Sequence, residues 1–220
     1  MFKRKILSKL EAWKQDERHK PLILRGARQV GKTTVVNEFG SQFDNYLYFN
    51  LEISESVRLF EMDIPLNDLV NMLFASLGKS QKKGSTLIFI DEIQNSPKTI
   101  ALLRYFYEQR PDLYVIAAGS LLENLVDVNV SFPVGRVMYL ALRPCSFYEF
   151  LGAIGKNNLL TILSQKAEYS IAFHEQLMHQ FNQYTIIGGM PEAVQHYAET
   201  QDIIAIEDVY ETLVQAYKDD

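Results

Sequence analysis

Short apolar runs alternate with segments of helical periodicity along the first two thirds of the chain. Runs of strand length, rich in apolar or aromatic residues, occupy 21–24, 46–51, 86–91, 113–118 and 137–142. Around them, apolar residues recur at helical spacing over 3–18, 34–39, 65–77 and 97–109. Strands separated by helices are typical of a parallel sheet covered on both faces, so the pattern predicts an α/β fold.

The strand-like runs stop after about residue 145, and only helical patterns follow. These patterns cover 146–154, 157–167, 170–187, 191–199 and 202–218. We therefore predict a core over residues 1–145 and a small helical lid over residues 146–220. The apolar face of the last helix, which includes Val209 and Leu213, runs almost to the end of the sequence without a helix-ending glycine or proline. We interpret this as a sign that the natural chain continues.

Composition narrows the class of protein. Of the 220 residues, 47% are hydrophobic and 12% are aromatic, which is ample for a folded core. The single cysteine, Cys145, excludes an internal disulfide, and no apolar stretch approaches the ~20 residues of a membrane helix. We therefore expect a cytoplasmic protein that does not cross a membrane.

Charge is spread unevenly along the chain. Residues 1–45 hold ten Lys or Arg and five Asp or Glu, whereas the rest of the chain holds twelve and twenty-two. A basic first segment suits a phosphate ligand, but a net charge of −5 is not typical of a nucleic-acid-binding protein. Within this segment, we interpret the basic cluster at residues 3–5 as the solvated end of a helix.

The most specific motif is a glycine loop between the first strand and the helix that follows it. Residues 26–33 read GARQVGKT and fit the phosphate-binding pattern G-x-x-x-x-G-K-[ST]. The glycines allow a sharp turn and a close backbone approach, Lys32 brings a positive charge to the terminal phosphates, and the Thr33 hydroxyl can hold magnesium. This chemistry indicates a nucleoside triphosphate. The predicted nucleotide-binding residues are Gly26, Ala27, Arg28, Gln29, Val30, Gly31, Lys32, Thr33 and Thr34.

Two carboxylates follow the most apolar strand. Asp91 and Glu92 come directly after the run Leu87–Ile90. Ligands of a parallel sheet bind at the carboxyl ends of its strands, so Asp91 is expected beside the glycine loop, where it can support Mg²⁺ directly or through water. Glu92 is placed to act as the base that activates a water for attack on the γ-phosphate. A base next to the metal ligand favours hydrolysis of the triphosphate.

Two further residues are candidates for the same chemistry. If the strand over 113–118 lies between the two motif strands, the Ser120 hydroxyl would meet the γ-phosphate or the attacking water; a simple turn serine is the alternative. Arg136 precedes the fifth strand and could neutralise charge in phosphoryl transfer, within the chain or in a neighbouring subunit. For Arg136, an ordinary surface arginine is an equally good interpretation.

These motifs, with two blocks further along the chain, resemble the prokaryotic AAA+-like P-loop ATPases whose AAA ATPase core is followed by a C-terminal domain of unknown function. That group is related to the archaeal ATPases and to the STAND-type NTPases. The matching segments are LRGARQVGKTT at 24–34, IDEIQ at 90–94, AGS at 118–120, GRV at 135–137, LRPCSFYEFL at 142–151 and GGMPEAV at 188–194. They follow the order of the family and cover nearly the whole chain.

The resemblance implies ATP rather than GTP, with Mg²⁺, in a site of the AAA+ kind. It implies Ser120 as the polar sensor, Arg136 as a candidate arginine finger, and residues 188–191 as a junction of lid helices near the nucleotide. It also implies a further C-terminal domain, absent from this sequence, through which a protein partner could bind. Formation of a homo-oligomer and binding of nucleic acid stay open.

The residues and the resemblance together predict a Mg-dependent ATPase module whose nucleotide state moves the helical lid and the missing C-terminal domain. One alternative is a switch or scaffold that binds nucleotide and turns it over negligibly. Another is an ATPase that acts on DNA.

Overall fold

The computed structural model describes residues 2–120, 133–165 and 171–218. The chain forms two compact units. One consists of residues 6–142, and the other combines the first five positions with the residues from 143 onward. The predicted core over residues 1–145 included the first five positions, whereas in the structure they group with the helical unit.

A five-stranded parallel sheet forms the centre of the unit 6–142. Its strands in chain order are β1 (Leu22–Arg25), β2 (Asn45–Asn50), β3 (Thr86–Asp91), β4 (Leu113–Gly119) and β5 (Met138–Ala141). The order in the sheet is β2-β3-β4-β1-β5, and every neighbouring pair is parallel. The predicted α/β fold is therefore confirmed, and β4 lies between β1 and β3.

The helices of this unit cover a sheet whose central strands are largely buried. They are α1 (Ile6–Gln15), α2 (Lys32–Gly40), α3 (Ser54–Phe60), α4 (Leu66–Ser76) and α5 (Pro97–Gln109). All six residues of β3 are buried. α5 begins where the sequence predicts, because Pro97 suits the first helical position and the Ser96 side chain accepts a 3.3 Å hydrogen bond from Thr99 N. α1 is shorter than predicted, and α3 was not predicted.

α2 ends at Gly40 as predicted, but Gly40 does not form the left-handed cap that usually explains a glycine at a helix end. Gly40 has no positive φ, and the following Ser41 is still right-handed with φ −62°. The Tyr46 ring instead lies against the helix, where a Cβ on Gly40 would come within 2.7 Å of Tyr46 Cδ2. Glycine is required here for close approach rather than for a backbone conformation.

The second unit is helical. Its helices are α6 (Phe147–Ala153), α7 (Asn157–Gln165), α8 (Ile171–Ile187), α9 (Pro191–Thr200) and α10 (Glu207–Lys218). The helix predicted from residue 202 begins only at Glu207, because the Asp202 side chain accepts a 2.8 Å bond from Ile204 N and a single 3₁₀ turn follows. The predicted end of α7 at 167 and the start of α8 at 170 lie outside the described residues.

The two sequence blocks of the helical unit contact each other. Cys145 N donates a 2.6 Å hydrogen bond to Gly189 O, and the Tyr184 hydroxyl donates a 2.7 Å bond to Cys145 O. A Cβ on Gly189 would lie 2.4 Å from the same Cys145 carbonyl oxygen. The block at 142–151 therefore needs Gly189 of the block at 188–194 for close packing.

In the basic cluster at residues 3–5, Lys3 and Lys5 are exposed as predicted, but Arg4 is not solvated, because it is only 5% exposed. The Arg4 side chain is held by hydrogen bonds within the helical unit. Its Nε donates a 3.0 Å bond to Glu149 Oε1, and its Nη2 donates a 2.7 Å bond to the carbonyl of Arg143. Lys5 N adds a 2.9 Å bond to the same Glu149 oxygen. Glu149 also closes a capping box with Ser146 at the start of α6. The N-terminal segment is thus part of the helical unit's framework.

Among the residues that the structure describes, no helix has the length and apolar character needed to span a membrane.

Candidate functional site

The glycine loop joins β1 to α2 through a turn that depends on small residues and positive φ angles. Gln29 has φ 60° and Gly31 has φ 88°, both in the left-handed region. A Cβ on Gly26 would lie 2.3 Å from the carbonyl oxygen of Leu142, so no larger residue fits there. Val30 is fully buried and anchors the turn. Gly31 is the N-cap of α2 and has no side chain to occupy the helix N–H groups, which leaves them available to an anion.

Lys32 is buried within this loop and folds back on it. Its Nζ donates 2.9 Å hydrogen bonds to Gly26 O and to Ala27 O. Burial lowers the pKa of Lys32, and the nearby Arg28 charge lowers it further, while the carboxylates Glu92 and Asp91 act in the opposite direction. The ammonium group therefore lies inside the loop, next to the available N–H groups of α2.

The two sequence motifs meet at Thr33 and Asp91. The Thr33 hydroxyl donates a 2.6 Å hydrogen bond to Asp91 Oδ2. Asp91 is only 2% exposed, and burial raises the pKa of its carboxyl group although Thr33, Glu92 N and Lys32 oppose the shift. The strand–loop–helix order and the parallel sheet together bring these side chains to one edge.

These oxygens suit a magnesium ion. Mg²⁺ in phosphate-binding sites takes one or two protein oxygens, and water and phosphate oxygens complete its coordination. A hydroxyl and a buried carboxylate 2.6 Å apart match that donor set. Across the described part of the chain, no group of three or more His, Cys, Asp or Glu side chains could hold a metal by itself. The arrangement therefore fits a metal that is bound together with a phosphate ligand.

Glu92 follows Asp91 in a strained backbone conformation. Its φ is 53°, in the left-handed region that residues other than glycine rarely adopt. Its carboxylate accepts a 2.6 Å bond from Gln94 Nε2. Gln94 belongs to the matched segment 90–94, but sequence reasoning gave it no role.

Ser120 follows β4 and therefore lies at the same carboxyl edge. Because β4 is placed between β1 and β3, the condition set for Ser120 by the sequence analysis is met. Its Oγ is buried and has no hydrogen-bond partner among the described residues. A buried hydroxyl of this kind is a candidate to contact a bound ligand.

Arg136 does not reach this edge. It precedes β5, whose first residue Met138 pairs with Leu22 at the start of β1, so Arg136 lies at the amino edge of the sheet. Its Nε donates a 2.6 Å bond to Glu108 Oε1. The geometry does not support action of Arg136 on a nucleotide bound by its own chain. A role in a neighbouring subunit stays a prediction.

Tyr48 is a neighbour of Asp91 that sequence reasoning missed. Burial, then the charges of Asp91 and Glu92, raise the pKa of the Tyr48 hydroxyl, to which a hydrogen bond with Asp91 also contributes. The β2–β3 register, which pairs Tyr48 with Phe89, brings it close. The only signal in the sequence is that Tyr48 is an aromatic residue in β2, where it alternates with residues of the opposite face of the strand.

Comparison with known proteins agrees with the fold. Residues 18–151, more than half of the chain, match the family model described as an AAA domain. The chain belongs to this family, and its fold is that of an AAA+-like P-loop ATPase. No curated protein gives a significant match.

Solved structures that resemble the chain are distant in sequence. The Walker-type ATPase PABY2304 of Pyrococcus abyssi has a TM-score of 0.58 at 17% identity, over 100% of this chain and 75% of that chain. PCH-2 of C. elegans has a TM-score of 0.47 at 12% identity, over 90% of this chain and 63% of that one. Drosophila ORC bound to DNA has a TM-score of 0.47 at 14% identity, over 87% and 58%. At these identities, the first of them supports the fold alone.

Proposed function

We propose that the chain binds ATP with Mg²⁺ and hydrolyses it. The observation that carries this proposal is the Thr33–Asp91 hydrogen bond of 2.6 Å, which joins the glycine loop to the acidic strand end. The family supports nucleotide binding in general. Adenine preference comes from the family resemblance.

In the proposed complex, Lys32 exchanges its bonds to the loop carbonyls for bonds to phosphate oxygens. The N–H groups at the start of α2 bind the same phosphates. Thr33 and Asp91 would hold Mg²⁺, whose charge stabilises the negative charge that develops on the phosphate oxygens. Ser120 donates to the γ-phosphate or to the attacking water.

Glu92 acts as the general base in this proposal. It accepts a proton from a water whose oxygen forms a bond to the γ-phosphorus. The bond between the γ-phosphorus and the β–γ bridging oxygen breaks, and its electron pair stays on ADP.

We further propose that the nucleotide state is transmitted to the helical unit through Leu142. Its N–H donates a 2.7 Å bond to Arg25 O, and its carbonyl oxygen occupies the space beside Gly26. Leu142 is the last residue of the sheet unit, so a change in the glycine loop acts directly on the segment that leads into the helices. A further C-terminal domain would receive the same signal.

Two substitutions test the proposal by calorimetry with ATP and Mg²⁺ and by phosphate release. Lys32→Ala should weaken ATP binding at least tenfold, whereas Lys9→Ala, an exposed lysine on α1, should not. Glu92→Gln should bind ATP normally and release phosphate about 100-fold more slowly or worse. The exposed Glu55→Gln is the control for Glu92.

Three different results would each contradict a different part of the proposal. No heat from ATP with the folded protein would eliminate the nucleotide site. Normal phosphate release by Glu92→Gln would eliminate Glu92 as the base. Binding with no turnover in the unchanged protein would establish a nucleotide-dependent switch instead of an enzyme.

A further inference from the structure

The side chain of Gln94 contacts Glu92 and has a buried carbonyl oxygen, and the proposed hydrolysis assigns no role to either. Its side-chain amide faces Glu92, with 2.6 Å between Gln94 Nε2 and Glu92 Oε2. A carboxylate only accepts hydrogen bonds, so the amide end that faces it is the nitrogen. The other end, Gln94 Oε1, is buried and has no hydrogen-bond partner in the part of the chain that the structure describes.

We propose that Gln94 is the positioning residue for Glu92: its amide N–H holds one carboxylate oxygen, which directs the other towards the attacking water. The inference rests on the proposed function, because it assigns a partner to the base of that reaction. Gln94 contacts Glu92 and not the reacting phosphate, so it acts through the carboxylate.

The backbone around Gln94 is fixed well enough for this role. Gln94 is the middle residue of a single 3₁₀ turn, Ile93–Asn95, directly after Glu92. Ile93 is fully buried, and the turn is closed by a 3.1 Å bond from Asn95 N to Glu92 O and a 3.1 Å bond from Ser96 N to Ile93 O. The amide is therefore presented from an anchored turn two residues beyond the base.

A free glutamate side chain samples several rotamers, and only some of them would direct an oxygen at a given water. The bond from Gln94 selects one of them before the substrate arrives. Catalytic geometry is sensitive at this scale, since a displacement of about 1 Å can lower a rate by roughly 100-fold. The positive φ of Glu92 is consistent with a side chain whose direction is specified rather than relaxed.

The buried carbonyl of Gln94 supports the same assignment. Buried acceptors in folded proteins are nearly always paired, with protein or with an ordered water. Gln94 Oε1 and Ser120 Oγ are both buried without a partner among the described residues, and they follow the neighbouring strands β3 and β4. A water that also contacts Glu92 would supply the donor that Gln94 Oε1 lacks.

The test is a double-mutant cycle with Gln94→Met, which keeps the length of the side chain and removes its donor and acceptor. We expect Gln94→Met to lower kcat between about 10- and 100-fold, with the Kd for ATP changed less than twofold. Gln94→Glu should lower kcat at least as much, since it places a second carboxylate against the first. The double variant Glu92→Gln/Gln94→Met should be no slower than Glu92→Gln alone.

Asn95→Ala, an exposed change in the same 3₁₀ turn, is the matched control and should retain normal kcat. Three results would each overturn the assignment. The first is a normal kcat in Gln94→Met, and the second is a kcat of the double variant below that of Glu92→Gln. The third is a loss of ATP affinity in Gln94→Met as large as its loss of kcat. The assignment also falls if the unchanged protein shows no turnover or if Glu92→Gln retains it, but then the proposed function has failed first. Thermal unfolding of each variant identifies any that do not fold, and in that case Gln94→Glu gives the same comparison.

Discussion

The Thr33 hydroxyl donates a 2.6 Å hydrogen bond to Asp91 Oδ2, which links the first turn of α2 to the carboxyl end of β3. The two residues are 58 positions apart in the chain. The contact exists because β1 and β3 run parallel on either side of β4, so their carboxyl ends open on one edge of the sheet. A hydroxyl on the helix start and a buried carboxylate on the strand end then share one small volume.

Under the proposed function, this pair determines the magnesium dependence of ATP binding. Thr33→Val keeps the shape of the side chain but removes the hydroxyl, whereas Thr33→Ser keeps the hydroxyl. We expect Thr33→Val to lose most of the gain in ATP affinity that Mg²⁺ provides over EDTA, and Thr33→Ser to retain it. Calorimetric titration with and without Mg²⁺ measures both. An unchanged Mg²⁺ effect in Thr33→Val would contradict the role of the hydroxyl.

How closely the sequence predicts an element depends on how local its signal is, in the sheet unit and in the helical unit alike. β3 and α5 have the predicted bounds, because the apolar run Leu87–Ile90 and a Ser-Pro helix start are strong local signals. α3 spans seven residues, too few for a helical period to be distinguished from chance. The start of α10 depends on the hydrogen bond from Ile204 N to the Asp202 side chain. The spacing of apolar residues does not predict a bond of this kind.

Topology also explains which site residues are predictable. Asp91 ends β3 and Ser120 follows β4, so strand order places both at one edge of the sheet. Thr33 reaches the same edge because the glycine loop after β1 leads directly into α2. Arg136 precedes a strand, and the same rule already places it at the opposite edge. The contact between Gln94 and Glu92 depends on side-chain rotamers in a 3₁₀ turn, which the pattern of the sequence does not determine.

The close approach of Gly40 to Tyr46 predicts that alanine is unfavourable in α2, although alanine is the better helix former. A Cβ at Gly40 would overlap the Tyr46 ring, so we expect Gly40→Ala to lower the free energy of unfolding by about 1–3 kcal/mol. Fluorescence of the single tryptophan, Trp13, which packs near Phe39 of α2, can follow the unfolding.

Gly152 is the contrasting case. It lies within α6, and a Cβ there would meet Leu160 Cδ1 at 3.6 Å, an ordinary contact. Gly152→Ala should therefore raise the free energy of unfolding by about 0.5–1 kcal/mol through helix propensity. Far-UV circular dichroism in urea measures this change. A stabilising Gly40→Ala would show that the Tyr46 ring moves aside at little cost.

The Cys145 thiol is predicted to be unreactive in the folded protein. Cys145 is 1% exposed, and burial raises the pKa of the thiol from 9.0 to about 11. The charge of Glu149 also raises it, while that of Arg4 opposes the shift. The shift alone lowers the thiolate fraction at pH 8 by about 100-fold relative to an unperturbed cysteine.

Reaction with a disulfide reagent such as dithionitrobenzoate at pH 8 measures this directly. We expect less than one hundredth of the rate seen in 8 M urea, which serves as the unfolded control. The sequence has one cysteine, so the final stoichiometry is one thiol per chain. Prompt reaction of the native protein would contradict burial of the block at 142–151.

Glu149 should make the helical unit sensitive to acid. Burial acts to raise the pKa of its carboxyl group, but hydrogen bonds from Ser146 N, Lys5 N and Arg4 outweigh burial and hold the pKa below the ordinary value of 4.5. A folded-state pKa below the unfolded one means that the unfolded chain binds the proton more tightly. The contribution of Glu149 to stability is therefore complete above pH 4.5 and is lost as the pH falls through the lower folded pKa.

Glu149→Gln removes that titration and leaves the buried Arg4 guanidinium without its carboxylate. We expect the variant to lose about 3 kcal/mol of unfolding free energy at pH 7, the lower end of the range for breaking a buried ion pair, since Arg4 also donates to the Arg143 carbonyl. The difference from the unchanged protein should shrink as the pH falls below 4.5, because only the unchanged protein then loses a charge. Urea unfolding followed by circular dichroism at several pH values measures this convergence, with the exposed Glu211→Gln as the control. A difference that stays constant down to pH 3 would mean that the Glu149 carboxylate and its hydrogen bonds do not cause the acid sensitivity of this unit.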